Sequence, residues 1–510
     1  MLDKLLRRKF LSTFAFGGAA LAFDPVRRAW LTSSVTDHSM APLATAPVPH
    51  LDGDLRAAGR RGALSPLPPL DGELSSDAAA LRAAADDYGH IVQQMPIAVL
   101  SPGSIDDIQK MVVYANEHRL ALSVRGAGHS ALGQTQTAGV VIDMSRLTGV
   151  EHIDKGACVV AAGTTWIDVV ASGLAVGAIP PVLPLDLYHT VGGVLALGGV
   201  SAASHHAGLV ADNVTRLEVI TGGGERVVCS EHENHDLFAA VLAGTALHAV
   251  IVKATLRMTE FRGQVRTHES VFDDASAFLA SMLANAREGS FHELSGSITP
   301  GLADRWIYTL EGSVFADELA DLDSDRGRSS SGRGRELKTY VQDKDHTAWL
   351  TRFLGVQEHL IRSDLWESEH PVLNVIVPID AAKAFLERAL PLISPDDLCN
   401  LPITMSPLVR ERVRSKEFPL PDSDVSLAIT FQMFPQGAAS ELERIRSTHE
   451  SLFELVRASG GTAFGGGSLE LSTAQIVAQR GGAALTRLQA RRQLYDPNGV
   501  LLAANTSAER

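Results

Sequence analysis

Short apolar runs and helical repeats alternate along residues 97–257 of the chain. Apolar runs such as 97–100 and 120–124 predict buried strands. Residues 108–118 have helical spacing, and Ser104 is a suitable N-cap for that helix. This order of strands and helices favours an α+β domain of the kind that holds a nucleotide.

The pattern changes near Phe261, where longer amphipathic segments begin. Residues 305–315 and 370–378 predict strands of a second domain. The stretch 324–335, rich in Ser, Arg and Gly, predicts a surface loop whose arginines serve solubility. Near the end of the chain, residues 484–494 again have helical spacing.

The first residues of the chain resemble a twin-arginine export signal. Arg7 and Arg8 precede an apolar stretch that is too short to span a bilayer. We therefore predict a signal over 1–35, a Pro/Ala-rich linker over 36–73, and a periplasmic or secreted protein. An amphipathic first helix is the alternative. No other stretch has the length and apolarity of a membrane helix, so we expect no stable membrane insertion.

Composition narrows the possible functions. The chain has 510 residues, of which 45% are hydrophobic, and a formal net charge of -14. This charge argues against nucleic acid as a partner. The three cysteines, Cys158, Cys229 and Cys399, form no C-x-x-C pair, so we predict neither a disulfide framework nor a metal site.

The stretch S-V-R-G-A-G-H-S-A-L-G-Q, residues 123–134, places His129 among three glycines directly after a predicted strand. Such a loop can wrap a phosphate or a ring system, and His129 would then touch the ligand. A surface histidine in an ordinary turn is the alternative. Residues 190–202 are also glycine-rich and uncharged, which suits either contact with a planar ligand or close helix packing.

Several motifs in order resemble one family, the FAD-linked oxidoreductases of the vanillyl-alcohol oxidase type, and within it the cytokinin dehydrogenases. The glycine loop is similar to the family's R-G-x-G-H-S-x-x-G-Q, and the match continues to Y-D-P-N-G-V-L. The resemblance implies an α+β fold with a two-lobed FAD-binding domain (74–262) and a substrate or cap domain (263–465). The cap would have an antiparallel sheet with flanking helices, and 466–510 would return to the FAD domain.

The resemblance also assigns the cofactor site. It implies that His129 bonds covalently to the flavin of FAD, which would raise the flavin's reduction potential and hold it in place. No cysteine lies in the second glycine stretch, so a double covalent link is not expected. The same correspondence predicts flavin contacts at Gly126, Ala127, Gly128, Ser130, Gln134, Thr190, Ala196, Val200, Ile251 and Asn505.

The catalytic positions match the family less closely. Asp186 lies one residue nearer the glycines than the family's proton-accepting aspartate, whose ungapped counterpart is Leu185. Asp186 is thus either a shifted base or an ordinary turn residue. Glu311 matches a glutamate at the substrate entrance, Asn374 matches an asparagine near the substrate, and Val372 replaces a tryptophan.

The resemblance predicts oxidation of the secondary amine side chain of an N6-substituted adenine, with hydride transfer to flavin and a quinone or oxygen as electron acceptor. Asn505 replaces a family glutamine, and residues 246–249 also depart from the family pattern. Oxidation of another alcohol, sugar or amine is an alternative, as is a flavin-binding protein without turnover. The oligomeric state is left open.

Overall fold

The structure is a computed structural model that describes residues 67–501, except 304, 323–335, 364, 436 and 438, and two short strands nearer the N-terminus. Those strands, β1 (Ala22–Asp24) and β2 (Ala29–Leu31), pair antiparallel within the segment predicted to be a signal. The twin arginines, the Ser/Arg/Gly stretch and Asn505 lie outside the described residues.

The first lobe is a four-stranded sheet in the order β3-β4-β6-β5, in which β4, β6 and β5 run parallel. The predicted helix is confirmed, and the Ser104 hydroxyl caps it by accepting a hydrogen bond from the Asp107 N–H. The elements are β3 (Glu73–Ser75), α1 (Ala78–Ala84), β4 (Ala98–Ser101), α2 (Ile105–His118), β5 (Leu122–Arg125) and β6 (Val140–Asp143).

The second lobe is a five-stranded antiparallel sheet in the order β11-β10-β12-β8-β7, accompanied by the small pair β9-β13. The β10-β11 hairpin turns at Gly222–Gly224, where Gly224 has a φ of +89°. Its elements are β7 (Val150–Ile153), β8 (Ala157–Ala161), α3 (Trp166–Leu174), β9 (Ala178–Ile179), α4 (Val191–Leu197), α5 (Ser204–Ala207), β10 (Val214–Thr221), β11 (Arg226–Ser230), α6 (His235–Val241), β12 (Ala249–Arg257) and β13 (Thr259–Glu260).

The cap contains an eight-stranded antiparallel sheet in the order β17-β14-β16-β15-β19-β20-β18-β21. Its elements are β14 (Gln264–Phe272), α7 (Ala275–Glu288), β15 (Glu293–Pro300), β16 (Trp306–Ala316), β17 (Lys338–Asp345), α8 (His346–Leu350), α9 (Leu354–Arg362), β18 (Val372–Pro378), α10 (Ile379–Ala389), β19 (Ile403–Val409), β20 (Val425–Gln432), α11 (Ala439–Ala458) and β21 (Thr462–Ala463).

The two faces of the cap sheet differ because side chains alternate along each strand. One face is apolar and packs against α7, α10 and α11, with Leu310, Leu373 and Ile429 fully buried there. The opposite face carries polar side chains such as Glu311 and Thr430 and lines a cavity between the cap and the two lobes. This alternation supplies the cavity with polar groups while the core stays apolar.

The last described segment contacts both lobes: its second helix packs against α6 of the second lobe, and its last residues join the first lobe. It contains α12 (Thr473–Arg480) and α13 (Gly482–Tyr495), and it ends with a parallel bridge between Leu501 and Leu122. The N–H of Leu122 donates to the Val500 carbonyl at 2.7 Å, so residues 500–501 extend the sheet at β5. Among the described residues, no helix combines the length and apolarity required to cross a membrane.

Candidate active site

The site is a cavity of about 1170 Å³ enclosed by both lobes and the polar face of the cap sheet. Every sequence-predicted site residue that the structure describes lines it, although these residues are up to 248 positions apart, from Gly126 to Asn374. Their individual roles stay predictions. The predicted residues in the cavity wall are Gly126, Ala127, Gly128, His129, Ser130, Gln134, Asp186, Thr190, Ala196, Val200, Ile251, Glu311, Val372 and Asn374.

Asp87 holds the glycine loop in shape from behind. Its buried carboxylate accepts hydrogen bonds from the Gly133 N–H at 2.6 Å, the Ser130 hydroxyl at 2.8 Å and the Gly89 N–H at 3.1 Å. Burial raises the pKa of Asp87, and these three donors and Arg125 act in the opposite direction. The loop is therefore fixed before any ligand enters.

The loop also packs closely against the second glycine stretch. A Cβ on Gly126 would lie 2.1 Å from Thr190 Oγ1, so a side chain cannot fit there without movement. Gly128 has a φ of +75°, a conformation that favours glycine. Thr190 caps α4 by accepting a hydrogen bond from the Gly193 N–H at 3.3 Å. The second glycine stretch thus forms a helix that also lines the cavity, and its contact with a planar ligand stays a prediction.

His129 lies within a group of aromatic rings at the cavity wall. Its ring centroid is 4.6 Å from that of His189 in an edge-on arrangement, 5.8 Å from Tyr88 and 6.4 Å from Trp366. Burial lowers the pKa of His129 to about 4, helped by His189 and Arg125 and opposed by Asp186. The imidazole is therefore neutral at pH 7 and keeps a nitrogen lone pair for bonding.

Asp186 points at this imidazole. Its Oδ2 lies 3.4 Å from His129 Nδ1 and 3.8 Å from His189 Nε2, and its Oδ1 accepts a hydrogen bond from the Tyr188 N–H at 2.8 Å. Leu185, at the position of the family's aspartate, lines the cavity and is 52% exposed. The one-residue shift seen in the sequence thus places an apolar side chain there and the carboxylate beside His129.

The side chains of His129, Asp186 and His189 each offer a ligand atom within 4.8 Å of the others, a spacing that one divalent cation can bridge. In the part of the chain that the structure describes, this is the one group of three such residues. The sequence predicts no metal, and that expectation stays a prediction.

Two predicted contact residues also connect parts of the protein. The Gln134 side chain accepts from the Leu132 N–H at 2.8 Å and donates to the Gly467 carbonyl at 2.7 Å, so it ties the loop to the segment after the cap. The Asn374 carbonyl oxygen accepts from the Thr430 hydroxyl at 2.9 Å. Both amides have fixed orientations at the cavity wall.

Three glutamates on neighbouring cap strands face the cavity. Glu269 of β14 is the register partner of Glu311 of β16, and Glu293 lies on β15, at the other side of β16. Burial, and then the charge of Glu311, raises the pKa of Glu269 to about 7. Burial also raises the pKa of Glu293 to about 7, opposed by Arg352 at 3.4 Å from its Oε2. Such carboxyls can exchange protons near neutral pH.

Sequence analysis did not identify Asp87, Tyr88, His189, Glu269 or Glu293. A signal existed for Glu293, because polar and apolar residues alternate in E-L-S-G-S-I and place it on the polar face. Glu269 lies in R-T-H-E-S, where no alternation marks an inward face. Asp87 and Tyr88 lie in an irregular segment, and their importance follows from contacts with distant residues.

Two known protein families match successive parts of the chain. Residues 96–230 match the family described as FAD binding domain, and residues 263–506 match the family described as cytokinin dehydrogenase 1, FAD and cytokinin binding. The chain is 31% identical over 384 residues to cytokinin dehydrogenase 1 of Oryza sativa subsp. japonica, which covers 66% of this chain and 70% of that protein. It belongs to the cytokinin dehydrogenase-like family of FAD-linked oxidoreductases.

Two further similarities extend this finding. An uncharacterized oxidoreductase from ORF5 of the fasciation locus of Rhodococcoides fascians is 30% identical over 436 residues, covering 85% of this chain and 98% of that protein. The crystal structure of 6-hydroxy-D-nicotine oxidase from Arthrobacter nicotinovorans is 20% identical, with a TM-score of 0.66 over 85% of this chain and 97% of that chain. The structural likeness confirms the predicted fold, and the protein is an FAD-dependent oxidoreductase.

The residues of the cavity fit FAD. The glycines of the loop allow a ligand to approach the backbone closely. The carbonyls of Gly128 and Ser130 already accept hydrogen bonds from the N–H groups of Tyr88 and Gly89, so they have partners without a ligand. Apolar residues such as Val200 and Ile251 line the cavity, and its volume exceeds that of most small-ligand sites. A cofactor and a substrate can therefore occupy it together.

Proposed function

We propose that this oxidoreductase is an exported enzyme that oxidises the secondary amine side chain of an N6-substituted adenine to an imine, which water then hydrolyses. The observation that supports this proposal is that the residues predicted to contact cofactor and substrate line one cavity between the FAD domain and the cap. When bound, FAD accepts the hydride. We further propose that His129 holds FAD covalently, because its neutral imidazole lies in the glycine loop that lines the cavity and that the resemblance predicts to contact the cofactor.

The chain's own residues would bind and orient the substrate at the cap sheet. Asn374 lies on the polar face with its amide fixed, and Val372 leaves more room than the family's tryptophan. Glu311 faces the cavity beside Glu269, whereas Asp186 lies against His129. We therefore assign to Glu311 the role of receiving the proton that the amine loses as the imine forms.

Anaerobic mixing with N6-isopentenyladenine tests this proposal. We expect the yellow flavin absorbance to bleach, and adenine, which lacks the side chain, to bind without bleaching. Bleaching by sugars or simple alcohols instead would favour the alternative oxidase. Binding of both purines without bleaching would support a protein that has lost turnover. Reoxidation of the bleached enzyme by oxygen and by a quinone, compared side by side, identifies the electron acceptor.

A further inference from the structure

The carboxylate of Asp186 is held in place by its own segment. Its Oδ1 accepts the Tyr188 N–H at 2.8 Å, which leaves Oδ2 directed at His129 Nδ1, 3.4 Å away. The side chain is 41% exposed, whereas that of His129 is 17% exposed. A water-accessible anion therefore contacts a largely buried imidazole.

His189 restricts the same imidazole from a second side. The two rings meet edge-on, with an interplanar angle of 74°. Burial lowers the pKa of His189, so this neighbour is also neutral at pH 7. Tyr88 and Trp366 face His129 from other segments, and the cationic Arg125 lies near it in the preceding strand. Among these neighbours, the group suited to accept a proton from His129 is Asp186.

A neutral imidazole must lose its N–H proton when its ring forms a bond to carbon and stays uncharged. A carboxylate in contact with the ring accepts that proton and selects the tautomer, as in other nucleophile and base pairs. We propose that Asp186 is the base that activates His129 for covalent attachment to FAD, and that the one-residue shift gives it this task. The inference rests on the proposed covalent link.

The reaction balances with dioxygen as oxidant. A bond forms between an imidazole nitrogen of His129 and the methyl carbon at the edge of the flavin ring. That carbon loses one hydrogen as a proton, the imidazole loses its N–H proton to Asp186, and two electrons enter the flavin. Dioxygen then takes the two electrons from the flavin and, with the proton from the methyl carbon and the proton held by Asp186, becomes hydrogen peroxide, which returns Asp186 to its carboxylate form.

Covalent incorporation into flavin-free full-length protein tests the inference. The chain is produced in riboflavin-starved cells and mixed with FAD in the presence of a chelator, which prevents a divalent cation from binding at these three residues. Samples are precipitated with acid over time, and flavin fluorescence is measured in the pellet. Binding of FAD before the covalent step is measured separately by quenching of its fluorescence.

We expect Asp186→Asn to bind FAD as tightly as the wild-type protein. The rate of covalent bond formation should fall by about a hundredfold or more. Asp186→Glu should recover part of the rate. The exchange Leu185→Asp/Asp186→Leu keeps the composition but moves the carboxylate away from His129, and it should behave like Asp186→Asn. Glu288→Gln, which removes an exposed carboxylate outside the cavity, should incorporate flavin at the wild-type rate.

The outcomes separate the two proposals. Acid-soluble flavin in the wild-type protein would contradict the covalent link itself. Wild-type incorporation together with normal incorporation in Asp186→Asn would overturn only the role of Asp186. Weakened reversible FAD binding in Asp186→Asn, without recovery in Asp186→Glu, would show a structural role and would also overturn the inference.

Discussion

The carboxyl of Glu269 makes the stability of the folded protein depend on pH. Its ordinary pKa of 4.5 is raised to about 7 in the folded protein, so the folded state keeps a proton that the unfolded chain releases. This proton stabilises the folded state at low pH, and the contribution is lost as the pH rises from 4.5 to 7. At pH 8 the burial of the carboxylate costs at most about 3 kcal/mol.

We therefore expect Glu269→Gln to raise the melting temperature at pH 8 and to have a much smaller effect at pH 5, where the folded protein holds the proton and the unfolded chain has lost it only in part. Thermal unfolding at the two pH values measures the effect. The exposed Glu288→Gln is the matched control and should show no such pH dependence. An equal shift at both pH values would contradict the raised pKa.

Glu311 is the residue at which the proposed chemistry can be tested most directly. Because a positioned acid or base contributes about a hundredfold or more to a rate, we expect Glu311→Gln to slow anaerobic flavin reduction by that amount. Substrate binding and bound flavin should be retained. Stopped-flow absorbance measures the reduction rate, and a wild-type rate in this variant would assign the proton to another group.

The sequence predicted which of these residues lie at the cavity, but it did not predict which neighbours they contact. The motif around His129 is specific, and its position in the cavity wall follows from a strand that ends at the glycine loop. The place of Asp186 could not be predicted, because it lies in an irregular segment where no period fixes the direction of a side chain. Only the fold shows that Leu185 faces the cavity and that Asp186 faces His129.

At the scale of elements, the glycine loop depends on Asp87. In Asp87→Ala, the two backbone N–H groups and the Ser130 hydroxyl lose their common acceptor in a buried place, at a cost of about 1–3 kcal/mol for each donor left unpaired. We expect a lower melting temperature and faster loss of reversibly bound FAD in a His129→Ala background.

Asp77→Ala is the matched control for this prediction. Asp77 is exposed at the start of α1 and makes no side-chain cap bond, so its loss should change neither quantity. Differential scanning calorimetry and the FAD dissociation rate provide the two measurements. If Asp87→Ala and Asp77→Ala behave alike, the loop does not need its buried acceptor.

Elements with a clear period were predictable, and those defined by distant contacts were not. The hairpin around Gly222–Gly224 and the strand β18 follow from alternation and turn residues. The order of the eight cap strands does not, because β15 pairs with β19 across more than 100 residues. No local pattern specifies such a partner, and the register depends on burial of one whole face.

At the scale of the whole molecule, the twin arginines predict export. Arg7 and Arg8 predict a route that carries folded proteins, which suits a chain whose proposed cofactor site lies between two domains. We expect replacement of both arginines by lysine to leave the protein in the cytoplasm with its leader uncut. Fractionation and N-terminal mass analysis measure this, and an unchanged exported fraction would refute the signal.

The contact of Leu122 with Val500 and Leu501 sets a minimum time for completion of the first lobe. A ribosome that adds about 5–20 residues per second needs roughly 20–75 s to travel from one partner to the other. Until then the edge of β5 lacks its final neighbour, and the glycine loop that follows β5 lies on an incomplete lobe. We therefore expect flavin to be captured only after residues 500–501 have joined β5, and a nascent chain truncated before them should be unable to retain it.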